Sequence, residues 1–341
     1  MGSRSQAVRV VAGILAMGGA LAACSGGSRA AAPRAPGGPA ETTPAPTPSG
    51  PATHPFTGGR TGLRNPVLAV KIDNTRPAHP QQGLRSADVI YVEQVEGGET
   101  RIMAVFSSRL PSRLGPVRSA RISDLHILRQ YGTPAFAFSG VQGKMKPYVR
   151  RAPVHDVSQD NGNPSYFRVG GRPMPYNLFT SPKALLAQAG KGTSGPKDIG
   201  FRFGPAPEGG EPAKSFTVRW PSDRMSFRWS AKAGRWKVWH SGRPDLAAEG
   251  GQLDAPTIVV QYVKTTRSRF HDFLGSYTPL IQTTGTGKAV VLRDGRSYDA
   301  RWSRPAEDRG TTFTTATGDP MTFATGQVWV VLVNDGKPRI P

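Results

Sequence analysis

Residues 87–108 read ADVIYVEQVEGGETRIMAVFSS, two apolar runs around the pair Gly97-Gly98. Val, Ile, Tyr and Phe favour extended backbone, and a Gly-Gly pair accepts the positive φ of a tight turn. The stretch is therefore expected to be a β-hairpin. With Glu96 opposite Glu99, Gln94 falls opposite Arg101, and Arg101 sits among Glu96, Glu99 and Gln94. Upstream, NPVLAVKIDN (65–74) is a candidate buried strand ending at Asp73. Downstream, GPVRSAR (115–121) leads into a helix over SARISDLHILRQYG (119–132), where Ile122, Leu125 and Leu128 form the apolar stripe and Gly132 the stop. PAFAFSG (134–140) reads as another buried strand. PKALLAQA (182–189) reads as a helix framed by Ser181, Pro182 and Gly190.

Between 191 and 213 the chain turns to Gly, Pro and charge, which marks a domain boundary. Beyond it, SFTVRW, MSFRW, RWKVWH, PTIVVQYV and QVWVVLV are short alternating runs with turns at Asp294-Gly295 and Thr317-Gly318-Asp319. The expected class is α+β: a mixed α/β domain over 65–200, then a mostly-β domain over 212–335, a small barrel or sandwich. All six tryptophans fall in the second half, as strand-core packing or as an aromatic binding platform.

The 341-residue chain carries 44 Lys+Arg against 23 Asp+Glu, a formal net charge of +21. Such an excess points to an anionic partner, membrane headgroups or wall polymer, or to genome bias toward Arg; nucleic acid is not expected. The one cysteine, Cys24, excludes an intramolecular disulfide. Arg4 and Arg9 precede the short apolar run 10–23, too short to span a bilayer as a mature helix. This is a signal peptide over 1–23. Leu21 to Cys24 (LAAC) resembles the lipobox of bacterial lipoproteins, which implies a diacylglyceryl group on Cys24 and a lipid-anchored protein on the extracytoplasmic face of the cell membrane. Two acyl chains give stable anchoring. Residues 24–64, rich in Pro, Ala, Gly and Ser, read as a disordered tether.

Ser-x-x-Lys, His-Glu-x-x-His and Gly-x-Ser-x-Gly are absent. GTGKA (285–289) lacks the first glycine and the Ser/Thr of a phosphate loop and reads as a hairpin turn. DVSQDNG (156–162) puts Asn161 where a calcium loop needs glycine and Phe167 where it needs glutamate. No metal or cofactor is expected. What remains is a polar set at element ends: Asp73, Asp88, Glu93, Glu96, Glu99, Arg101, Arg118, Arg121, Arg168 and Arg172. Two arginines at a helix start oppose the helix dipole. Something negative must answer them, either an internal carboxylate (Glu93, Glu96, Asp88 or Asp73) or an external phosphate.

The chain resembles the YerB-like lipoproteins built from the DUF3048 domain. The resemblance runs through Asp73-Asn74, Pro80 to Leu84, Ala87-Asp88, Glu96 to Arg101, Gly115 to Arg121 and FRVGGRPMPYNLFTS (167–181). It implies two domains, a lipid anchor and an envelope location, and adds Asn177 to the candidate site. Met174 and Tyr176 stand where the family more often has Ala and His. A more distant likeness to LytR-CpsA-Psr phosphotransferases rests on strand, hairpin and arginine-rich turn. Three functions follow as expectations: a non-enzymatic binder of an anionic wall component or envelope protein, an enzyme on phosphorylated lipid-linked or wall precursors with Asp73 or Asp88 as base, or a solute-binding lipoprotein.

Overall fold

The computed structural model describes residues 53–336 apart from Phe273; Cys24 and the segment expected to be a signal peptide lie outside the described residues. The first half supplies β1 (Leu68–Asp73), β2 (Val89–Gln94), β3 (Thr100–Phe106), α1 (Ile122–Leu128), β4 (Ala135–Ala137), α2 (Lys146–Arg151), β5 (His155–Asp156), β6 (Tyr166–Arg168), β7 (Leu178–Thr180) and α3 (Pro182–Ala189). The second half supplies β8 (Glu211–Pro212), β9 (Ser215–Arg219), β10 (Arg224–Ser230), β11 (Arg235–His240), β12 (Arg243–Pro244), β13 (Asp254–Ala255), β14 (Thr257–Val263), β15 (Thr265–His271), β16 (Tyr277–Ile281), β17 (Gly285–Arg293), β18 (Arg296–Arg304), β19 (Thr312–Thr315) and β20 (Val328–Asn334).

One sheet runs through both halves in the order β19-β18-β17-β14-β20-β2-β3-β1-β4-β5. The junction is β20, which pairs in parallel with β14 on one side and with β2 on the other. Its residues 328–333 are buried, as a central strand covered on both faces requires. Strands β1, β2, β4, β14 and β20 point the same way, with β3 antiparallel between β1 and β2. Their carboxyl ends therefore share one edge.

A smaller sheet, β12-β11-β10-β9 with β13, covers one face. Phe227, Trp236 and Val238 pack there with Val260, Leu292 and Trp329. The other face takes α1 together with Phe136, Phe201 and Phe323. The second half is mostly β, as expected, but it is no self-contained barrel: β14, β17, β18, β19 and β20 join the sheet of the first half. That half is less helical than an α/β reading implies, with helices of 7, 6 and 8 residues among the described residues. None is long and apolar enough to cross a membrane.

Other expectations shift too. Folded structure begins before Asn65: His54 and Phe56 are fully buried, and Phe56 meets Tyr131 edge-on at 5.1 Å. The Gly/Pro-rich segment after 190 also enters the core through Ile199 and Phe201. GTGKA is no turn; it begins β17, with Gly285 opposite Arg304. The main hairpin is one residue out of the expected register. Val95–Glu99 form the turn, with Gly97 at φ 67° and Gly98 at φ 74°, so Arg101 faces Glu93 rather than Gln94. Four tryptophans (Trp220, Trp236, Trp302 and Trp329) are core residues.

Candidate functional site

The register shift decides what surrounds Arg101. Glu93 of β2, Arg101 of β3 and Asp73 of β1 stand side by side. Paired residues share a sheet face, so all three lie on the α1 side of the carboxyl edge, where ligands gather in parallel sheets. Val117 bridges to Ile72, and Arg118 N donates to Lys71 O at 2.9 Å. GPVRSAR is thus laid across the end of β1.

Each arginine of GPVRSAR meets its own carboxylate. Arg118 Nε lies 2.6 Å from Asp73 Oδ2; this is an ion pair bent off the hydrogen-bond line. Asp73 Oδ1 accepts from Thr75 N at 2.8 Å and Thr75 Oγ1 at 2.7 Å. Arg121 Nε donates to Glu96 Oε2 at 2.9 Å, and Thr278 of β16 donates to the other oxygen. Burial opposes ionisation of Glu96, but the Arg121 charge and these bonds hold its carboxyl below the usual range. Arg121 is also the N-cap of α1, with its N–H bonded to Asp124 Oδ2 at 2.6 Å.

Arg101 is different. Its Nη1 reaches only Ser119 O at 3.3 Å, its buried Nε has no partner, and among the described residues no carboxylate pairs with it. Burial first, then the charges of Arg121 and Arg118, bring its pKa down to about 9, against a partial offset by Asp73 and Glu96. Three guanidiniums thus converge on two carboxylates, and Tyr176 places its ring 5.9 Å from the Arg118 guanidinium.

Beneath them Lys71, fully buried in β1, bonds Glu93 and Asp124, the latter at 2.9 Å. Burial, reinforced by the nearby Asp124 charge, pushes the Glu93 carboxyl up to about 8 despite Lys71. Glu93 therefore answers Lys71, not an arginine.

The sequence matches the model "Protein of unknown function (DUF3048) N-terminal domain" over residues 56–195 and the corresponding C-terminal domain over 216–330. The chain belongs to the DUF3048 family. "Putative lipoprotein YerB" of Bacillus subtilis (strain 168) is 31% identical over 118 residues, 35% of each chain, so this DUF3048 chain spans about a third of that relative's length in the match. The crystal structure of the Bacillus subtilis YerB protein superposes with TM-score 0.72 at 20% identity, over 83% of this chain and 97% of that one. It shares the fold.

Not every residue of the expected set joins this DUF3048 site. Asp88 lies at the opposite end of β2, where it accepts from Ser107 N at 2.6 Å and Ser108 N at 2.8 Å. Arg168 bonds Asn177 Oδ1 at 2.7 Å across the β6–β7 hairpin. Arg172 bonds Ala78 O at 2.9 Å and Pro80 O at 2.5 Å, which fastens that hairpin's loop. Lys71, Asp124 and Thr278 were missed. A lone lysine inside the apolar run LAVKID was the available signal for the first; Thr278 had none.

A second cluster links the halves of the DUF3048 fold. His79 and His240 stack at 4.4 Å, 15° from parallel. His79 Nδ1 lies 2.9 Å from Asp245 Oδ1, and His240 Nε2 lies 2.9 Å from Asp223 Oδ1. Burial disfavours the His79 imidazolium, but Asp245, the Asn74 carbonyl and Asp223 together raise its pKa above 6.5. A raised imidazole pKa adds stability that is complete below the unfolded value and fades as pH climbs through the folded one. Urea denaturation of wild type and Asp245→Asn is expected to show a stability gap larger at pH 6 than at pH 8. A gap that does not vary with pH would count against this pairing.

Proposed function

We propose that this chain is a membrane-anchored lipoprotein of the extracytoplasmic face that binds, without catalysis, a phosphate-bearing anionic component of the cell envelope at Arg101, Arg118 and Arg121. The observation that carries the reading is Arg101, a half-buried arginine beside two others, with an unpartnered Nε and no carboxylate partner among the described residues. A guanidinium fork suits phosphate oxygens, and an anion there would relieve the like charge. The lipoprotein name of the Bacillus subtilis relative and the LAAC stretch at Cys24 support the anchor.

Binding is favoured over the phosphotransferase reading because neither candidate base is free. Both Asp73 oxygens are engaged by Thr75 and Arg118, and Asp88 is at the other end of the sheet. The solute-receptor reading needs a cleft between two similar α/β lobes, whereas one sheet runs through both halves.

The test is calorimetric titration of residues 51–341, one compact unit, with inorganic phosphate and pyrophosphate. Arg101→Gln is expected to weaken binding roughly 10- to 100-fold, the loss of one or two charge-assisted hydrogen bonds, with folding intact by circular dichroism. Equal affinity in both proteins, or no phosphate binding by the wild type, would sink the reading.

A further inference from the structure

The smaller sheet has a second face. Along β9, β10 and β11 burial alternates, with Val218, Met225, Phe227, Trp236 and Val238 inward. Outward, on one plane, stand Arg219, Arg224, Arg228, Arg235 and Lys237. The strand register sets like charges directly opposite each other: Arg219 faces Arg224, and Arg228 faces Lys237. Such pairs destabilise a sheet, and here two occur in one three-strand span. The one carboxylate on these rows, Asp254, is already shared by Arg235 and Lys237. Among the described residues Arg219, Arg224 and Arg228 have no ion-pair partner. Arg228 lies 3.8 Å from the centre of the half-exposed Trp239 ring on the same face.

We propose that this face is a docking surface for an anionic lipid headgroup layer. Charge complementarity selects the partner's sign. Geometry selects a plane over a polymer strand: the cations spread across neighbouring strands spaced about 4.8 Å apart rather than along one groove. A Trp ring beside cations suits the boundary between headgroups and water. The surface is separate from the arginine site, whose residues lie on β3 and on the segment that leads into α1, and it does not depend on phosphate binding there. Docked, it would hold the folded unit flat on the membrane and supply the opposing charge that its own rows lack.

Co-sedimentation of residues 51–341 with vesicles tests this. Vesicles containing phosphatidylglycerol are expected to bind the protein, less so as salt rises, and pure phosphatidylcholine vesicles are expected not to. Each cation near such a surface contributes about a fivefold gain, so Arg219→Gln/Arg224→Gln/Arg228→Gln is expected to lose roughly 100-fold. Its melting temperature should hold or rise, because the like-charge pairs are gone. If the triple variant unfolds, Arg219→Gln and Arg228→Gln are each measured alone for the fivefold loss. Equal binding to both vesicle types, undiminished binding by the folded variants, or binding to soluble polyphosphate with none to vesicles would overturn the proposal.

Discussion

Lys71→Met is expected to lower the free energy of unfolding by about 3–5 kcal/mol, because it leaves the buried Asp124 carboxylate, and above about pH 8 Glu93 as well, without their cation. Lys71 is fully buried, and its ammonium holds Glu93 and Asp124 together. Methionine fills similar volume, so the loss is electrostatic rather than a cavity. Two further readings separate this cause from general damage. At pH 9 Lys71→Met/Glu93→Gln should recover part of the loss, since no Glu93 charge is then stranded and Asp124 still accepts the Arg121 N–H. Raising the pH from 7 to 9 should widen the gap to wild type, because wild-type Glu93 ionises beside Lys71 near pH 8 whereas in the variant its ionisation is pushed higher still. A gap that stays constant with pH, with no recovery in the double variant, would show that the triad is not what Lys71 supports.

Trp329→Ala is expected to cost about 3–5 kcal/mol, the range for truncating a large core aromatic. Trp329 is fully buried in β20, packs edge-on to Phe227 at 6.3 Å, and donates from Nε1 to Gln327 Oε1 at 2.8 Å. Gln327 in turn donates to the Leu84 and Ala87 carbonyls at 2.8 Å each. Truncation therefore opens a cavity under the small sheet and loosens a clamp on the entry to β2. Because β20 joins both halves, a urea melt followed by probes in either half should show one shared transition at lower midpoint. Two separated transitions in the wild type would mean that the halves fold independently.

Local features were legible where short-range chemistry decides them. The frame of Ser181, Pro182 and Gly190 marks α3 to the residue, and Asp294-Gly295 makes the β17–β18 turn with both φ angles positive. Those are choices made within a few residues. The hairpin register was not legible, because Gly97 and Gly98 admit both a two-residue turn and the longer one that forms. That single step moved Arg101 from Gln94 to Glu93. The partners of Arg118 and Arg121 were legible only as a pool of acids near in sequence. Choosing among them needed β1, β2 and β3 in register. Thr278, His240 and Asp223 reach the first half from more than a hundred residues away, and no local pattern announces such contacts.

Strand β20 also bears on the order in which the molecule is assembled. It is the last strand of the described chain, yet it occupies the middle of the large sheet. During synthesis β2 and β14 exist long before their shared neighbour, each with one edge unpaired. An open edge is a template for pairing with another chain, and contacts this distant in sequence form slowly. The sheet thus closes as a late event, with residues 328–334 as the final insertion. Until then the first half has its arginines in sequence but lacks the finished edge that holds them together.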